Sequence, residues 1–444
     1  MEIRTGASKA LVHELLDLIS AAEDAQRSAA APKTSPGPQQ WRELVRLDGA
    51  VLTPLEIATQ LVQAAHREPL PPAALIAPLF ADLAIIDLLA SWLDPLLRAA
   101  RTGLGSEVEQ ALVDWGCRLA EYPAGSGKAF SDRTAANTAA LLVAHARWRS
   151  NTLTEGKRPV IVMSYDADPS IVRAASAIGV RAEDVLTVPT ERSGRVDADA
   201  VEWVLSSLES RLDSAVMAIV ATAGSESTCA FDDLHRLAYL RDAHRTWLHV
   251  DGGYGSTVLF SPTTSGLLHG LERSDSFLFA PTAVTALPFS PVLTVVRDRR
   301  WLPAAVGTEP AEDHRHEVPL ASQREAFKLW SFLRLFGTAP LAAAVEHSAL
   351  RAVEFFERLV MFSDFEVLHE PALDVLCFRP RDVADDQVAE LQRRLVDGGH
   401  TAITIITLFG RRVLRAAMRN PLMAGQDIDA LIGALRRARY GGGR

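Results

Sequence analysis

AVMAIVATAG, residues 215–224, contains no charged side chain and only one hydroxyl, with Val216, Ile219 and Val220 set among small residues. A strand of that make-up cannot keep one face in water. It belongs inside a sheet covered on both sides, and such sheets are mostly parallel and joined by helices. The sequence on either side agrees. Helical and strand patterns alternate in short units from about residue 105: helix 105–120, a loop, helix 135–148, strand 159–164, helix 170–178, strand 184–188, helix 201–212, strand 216–223, helix 232–243 and strand 247–251. Strands near 276–279 and 292–296 complete this core. A long helix around 324–336 follows, and strands near 375–379 and 401–406 mark a smaller α+β segment.

Upstream of the alternating region, residues 8–23 have the spacing of an amphipathic helix, and AQRSAAAPKTSPGPQQ (25–40) is a linker with nothing to bury. The expected division is a helical arm and linker over 1–80, a large domain over 81–335 and a small domain over 336–444, whose GGGR end is expected to be disordered. With 48% hydrophobic residues, a chain of 444 residues can bury a large core. Its net charge of -9 and the absence of any dense Lys/Arg run argue against nucleic acid or an anionic membrane as partner. The most apolar stretch, Ala73 to Trp92, is broken by Pro78, Asp82 and Asp87 and reads as a buried helix rather than a span. The first residues lack the order of a secretory signal, so a cytoplasmic location is expected. Cys117, Cys229 and Cys377 are far apart, with no CxxC pair, and read as buried reduced thiols; no metal site is expected.

Three segments taken together resemble the group II pyridoxal-phosphate-dependent amino-acid decarboxylases, the family of the aromatic-amino-acid, histidine and glutamate decarboxylases. WLHVDGGYGS (247–256) is similar to the strand end whose aspartate meets the pyridine nitrogen. SDSFLFAPTAVTALPFSPVLTVVRD (274–298) is similar to the segment that carries Asn-Pro-His-Lys. VLRAAMRNPLMAGQDIDALI (413–432) is similar to the closing Leu-Arg-x-x-x-x-Asn-Pro and helix. Weaker matches at 105–115, 131–142, 219–234 and 323–330 lie between them in the right order. The resemblance implies an aspartate-aminotransferase-like (fold type I) large domain with a mostly parallel central sheet, a small α+β C-terminal domain, and an arm that wraps a second subunit in a homodimer.

It also implies a pocket, and the residues there depart from the family's. The positions of Asn-Pro-His-Lys read Ala280, Pro281, Thr282 and Ala283, so the amine that forms the internal aldimine is replaced by a methyl group. Only five lysines exist, Lys9, Lys33, Lys128, Lys157 and Lys328, and Lys128, just before the phosphate-loop region, is the one conceivable stand-in. Asp168 stands where the family stacks a histidine on the ring. Asp132 and Arg133, followed by Thr134, stand at the phosphate loop, where Arg133 could pair an anion and Asp132 would oppose one. The mobile loop PAAVGTEPAEDHRHEVPLASQ (303–323) has no tyrosine to donate a proton but offers His314 and His316. Asp251, Thr222 and Arg324 match family positions near the cofactor, and Gly252 and Gly253 are expected to keep the pocket floor open.

The resulting expectation is a family homologue that has lost its lysine, a lysine-less pseudoenzyme or a repurposed protein of specialised metabolism. It would bind a small molecule or catalyse a lysine-independent step, and if an enzyme it would be a carboxy-lyase by resemblance. No covalently bound cofactor is expected, with pyridoxal phosphate doubtful and at most held non-covalently. Asp251, Asp168 and His316 are the catalytic candidates, and the alternatives are a non-catalytic partner or regulator that forms a heterodimer with an active paralogue, and a pyridoxal-phosphate-dependent carboxy-lyase acting on an amino acid with a non-covalently held cofactor.

Overall fold

The computed structural model describes residues 90–91, 104–281, 291–302, 322–398, 403–420 and 423–440. The arm, Lys9 and Lys33, all of Ala73 to Trp92 but residues 90–91, Thr282, Ala283, His314, His316 and the GGGR end lie outside the described residues. The helices and strands below belong to one compact unit, Ile86–Arg444.

Helix α1 (Leu104–Leu119) leads into β1 (Ser126–Phe130), and α2 (Arg133–Arg149) follows. Then come β2 (Arg158–Ser164), α3 (Pro169–Ala177), β3 (Val185–Val188), α4 (Ala198–Glu209), β4 (Ser214–Thr222), α5 (Leu234–His244) and β5 (Trp247–Asp251), with β6 (Ser276–Phe279) and β7 (Val292–Val296) last. These strands form one sheet in the order β1-β7-β6-β5-β4-β2-β3. Strand β7 runs antiparallel to both its neighbours, and the β6-β5-β4-β2-β3 pairings are parallel. The apolar run that predicts a doubly covered strand is β4, and residues Met217 to Thr222 are all buried.

Local signals fix where the helices start. Asp132, Asp168, Asp197 and Asp233 each cap a helix by accepting backbone N–H groups, and Pro169 occupies the first turn of α3. The boundaries shift accordingly from those expected: α4 begins at Ala198 behind its Asp197 cap and ends at Glu209, leaving Leu212 91% exposed. Helix α2 lies close to the sheet because its inner face is small, with Ala135, Ala136, Ala139 and Ala140 buried. That closeness brings the polar residues of α2 to the strand ends.

Beyond α6 (Gln323–Phe336) and α7 (Ala339–Leu359), strands β8 (Phe365–Val367), β9 (Val375–Pro380), β10 (Ile403–Leu408) and β11 (Arg411–Ala417) form an antiparallel sheet in the order β10-β11-β9-β8. Helices α8 (Asp385–Asp397) and α9 (Gly425–Tyr440) share its core, where the Phe378 ring meets Phe355 and Phe365 edge-on at 5.5 and 6.0 Å. This sheet is tied to the large one by polar contacts. Arg415 Nε donates to Ser227 O at 3.1 Å, and Arg419 lies 3.9 Å over the Tyr254 ring while donating to the buried Asp374 carboxylate. No helix among the described residues is long and apolar enough to cross a membrane.

Candidate functional site

Strand β5 ends on Asp251, whose side chain is 2% exposed. A carboxylate taken that far out of water needs donors, and three N–H groups supply them. Arg133 gives Nε at 3.0 and 3.2 Å to the two oxygens and Nη2 at 2.9 Å to Oδ1; Asn137 Nδ2 reaches Oδ2 at 3.2 Å. The remaining arm of the guanidinium, Nη1, donates to Asp168 Oδ2 at 2.8 Å. Asp168 holds its place by its other oxygen, which accepts from Ser170 N at 2.7 Å as the cap of α3. One arginine in the first turn of α2 therefore joins the end of β5 to the start of α3. Burial works against the charge on Arg133, but Asp251 and Asp168 outweigh it and raise its pKa, with Glu226 adding a smaller push in the same direction.

Behind the carboxylate a neutral network runs back down the sheet. Asn137, which also donates to Ser170 Oγ at 2.9 Å, accepts at Oδ1 from His249 Nε2 at 2.9 Å; His249 Nδ1 meets Ser276 Oγ at 2.9 Å, and that oxygen accepts from Trp247 Nε1 at 2.9 Å. Burial pushes His249 down to about 4, with Asp251 pulling the other way, so the imidazole is neutral near pH 7 and can play this donor-and-acceptor part. Thr222, opposite Asp251 in the β4–β5 register, has a buried hydroxyl with no hydrogen-bond partner among the described residues.

Some residues singled out from the sequence meet here, and others do not. Asp251, Arg133 and Asp168 are bonded to one another, with Thr222 and Gly253 beside them. Arg133, read as an anchor for a phosphate or another anion, is instead committed to two carboxylates. Gly253 does not leave an open floor. The guanidinium lies on it, so a β-carbon there would stand 2.5 Å from Arg133 Nη2, and its φ of +34° also suits glycine. Gly252 is glycine because β6 presses on it, with Leu278 O 2.4 Å from where a β-carbon would be. Asp132 serves as the cap of α2, accepting from Ala135 N at 2.9 Å, and Thr134 accepts from Arg173 Nε at 3.3 Å. Arg324 stands 3.5 Å from Glu325, and no hydrogen bond or ion pair among the described residues joins it to Asp251. Lys128 sits on the edge strand, three strands and about 14 Å across the sheet from Asp251, where Glu109 holds it at 3.1 Å. Lys328 is buried against Glu325 at 2.9 Å, and Lys157 immediately precedes β2, at the amino end of the parallel strands.

Asn137 and His249 are missing from the sequence reading, although spacing could have found them. Asn137 is four residues after Arg133, on the same face of a helix, and His249 is two before Asp251, on the same face of a strand.

The conserved domain of pyridoxal-dependent decarboxylases matches residues 99–381, and the chain belongs to that family. It is 28% identical over 321 residues to the aromatic-L-amino-acid decarboxylase of Drosophila lebanonensis, covering 65% of this chain and 78% of that one. It is 24% identical over 366 residues to the aromatic-L-amino-acid decarboxylase of Bacillus atrophaeus, covering 78% and 75%. The crystal structure of Oryza sativa TDC with PLP and tryptamine superposes with a TM-score of 0.84 at 19% identity over 99% of both chains. That of Catharanthus roseus tryptophan decarboxylase in complex with L-tryptophan gives 0.83 at 16% identity, over 99% of this chain and 100% of that one. These two structures bear out the fold-type-I architecture read from the sequence.

Family membership also overturns the expectation of no covalently bound cofactor, with pyridoxal phosphate doubtful: the matched domain is pyridoxal-dependent, and pyridoxal phosphate is the cofactor it brings to this fold. When bound, that group supplies an electron sink for a carbanion. Asp251 is the residue that would hold its ring nitrogen, and the Thr222 hydroxyl, without a partner among the described residues, is a further polar group beside it. In the arrangement observed the fit is incomplete. Arg133 covers both oxygens of Asp251 and occupies the space over Gly253, so Asp251 would be open to a ring nitrogen only if the guanidinium withdrew.

Proposed function

We propose that this decarboxylase-family chain is repurposed, with Ala283 at the place of the family's lysine, and that the site around Asp251 binds a small cationic amine. The supporting observation is the Asp251–Arg133–Asp168 cluster, in which one guanidinium faces two carboxylates and leaves one negative charge uncompensated. Glu226, close enough to raise the Arg133 pKa, adds to it. An ammonium group entering beside Arg133 leaves both carboxylates paired. An entering phosphate or carboxylate would instead draw Arg133 away and strand Asp251, 2% exposed, without a cation, which is the costly way to break a buried pair. An amine is also the product class of the aromatic-L-amino-acid decarboxylases to which this chain is similar, so a shape made for that skeleton suits the reading.

Calorimetric titration of the full chain with phenethylamine tests this. One molecule per chain is expected, with Asp251→Asn and Asp168→Asn each weakening binding by about tenfold or more. Phenethylamine that does not bind, or that binds both variants as well as the parent, overturns the reading. A homodimer in the cytoplasm belongs to the same proposal, and light scattering that gives the mass of a single chain would remove the dimer from it.

A further inference from the structure

At the amino ends of the parallel strands, where β4 and β5 begin, lies a cavity of about 580 Å³. Its size is that of a small-molecule site. It is separate from the Asp251 cluster, since the length of β5, about 13 Å, runs between Trp247 on its wall and Asp251.

Tryptophans make the walls. Trp247, 2% exposed, is fixed by its N–H to Ser276 Oγ at 2.9 Å, and Trp148 and Trp301 line the cavity with it. The Arg147 guanidinium lies 5.8 Å from the Trp247 ring and 5.9 Å from the Trp301 ring. Cations outnumber acids on the lining. Arg147, Arg245 and Lys157 have no carboxylate partner among the described residues, whereas the acid of the lining, Glu209, is already paired with His244 at 2.7 Å. Helices α2, α4 and α5 end at this rim, and last-turn cations such as Arg147 offset their dipoles. Lys157 lies outside any helix and is beyond that role. One more group is idle: the indole N–H of Trp148 is buried with no acceptor among the described residues, a donor waiting for an oxygen.

We propose that this cavity is a second ligand site, and that it takes a planar aromatic carboxylate. The ring stacks among the tryptophans, the carboxylate lies between Arg147 and Lys157, and one of its oxygens accepts from Trp148 Nε1.

Indole-3-acetate is the probe, with indole as the same ring without the charge, followed by tryptophan fluorescence and calorimetry on the full chain. One indole-3-acetate per chain is expected, binding at least about tenfold more tightly than indole; Arg147→Gln and Lys157→Gln should each weaken it about fivefold or more. Trp148→Phe, which keeps the ring and removes the N–H, should weaken it about threefold or more. Asp168→Asn, at the other site, should leave it unchanged, so that failure here is distinguishable from failure of the amine reading. Lys157 is half-buried and its side chain makes no hydrogen bond or ion pair among the described residues, so Lys157→Gln keeps the test standing beside a poorly folded tryptophan variant. No saturable binding, equal binding of indole, or a titration untouched by Lys157→Gln overturns the proposal, as does loss of binding in Asp168→Asn.

Discussion

At the carboxyl end of β5, Asp251 is surrounded by donors, and its arginine partner is shared with a second acid. At the amino end of the same strand, on the same face, Trp247 borders a cavity whose cations have no acid to pair with and whose tryptophan donor has no acceptor. One end already holds a cation, shared between two acids, and a ligand must enter beside it. The other leaves its polar groups for something that enters. The difference shows why a family's fold position alone does not identify the ligand: the carboxyl ends of the strands are the usual place for one, yet here that place is latched.

Breaking the latch should have the largest effect. Arg133→Met removes the cation from a carboxylate that is 2% exposed, and urea unfolding should show a loss of about 3 kcal/mol, tempered because Arg133 itself is 28% exposed. The neutral network below it should give a pH dependence of similar size. His249 titrates at about 4 when folded and near its ordinary 6.5 when unfolded. The unfolded chain therefore takes up the proton first, and stability is lost as pH falls from about 6.5 to about 4, by on the order of 3 kcal/mol. Asp232, pushed up to about 6 by burial, runs the other way over part of that range, so the quantity to measure is the difference between the parent and His249→Gln, whose profile should be flatter. A smaller effect is expected from removing the cap of α2: Asp132→Ala should cost about 1 kcal/mol in the same unfolding assay and leave phenethylamine binding unchanged, since that side chain bonds only its own helix among the groups of the site. Thr222→Val should be smallest in stability, within about 0.5 kcal/mol of the parent, because the hydroxyl it removes has no partner to lose.

The fold is legible in the sequence wherever burial is two-sided. Strand β4 is a continuous apolar run, and β5 buries Trp247, Leu248 and Val250 beside its two polar residues. Strand β1 is not legible, because SGKAF is an edge strand whose Gly127 and Lys128 break the apolar pattern; it is a strand because β7 pairs with it, and a β-carbon at Gly127 would stand 2.3 Å from Thr294 O. The site is half legible. Asp251 stands where the family resemblance implies an aspartate, and Arg133 and Asp168 stand out as charges where it implies small or aromatic groups. Who pairs with whom does not, since Arg133 finds Asp251 across 118 residues of sequence and Asp168 across 35, and only the close seating of α2 on the sheet decides it. The cavity at the amino end leaves no motif at all, because its walls come from helix ends and strand starts far apart in the chain.

A double-mutant cycle on Arg133 and Asp251, read by urea unfolding of Arg133→Met, Asp251→Asn and the pair, tests the central claim most directly. A coupling of about 2 kcal/mol, larger than the one between Arg133 and Asp168, is the expected result. A coupling near zero would mean that the guanidinium does not hold the carboxylate, and that the floor over Gly253 is open after all.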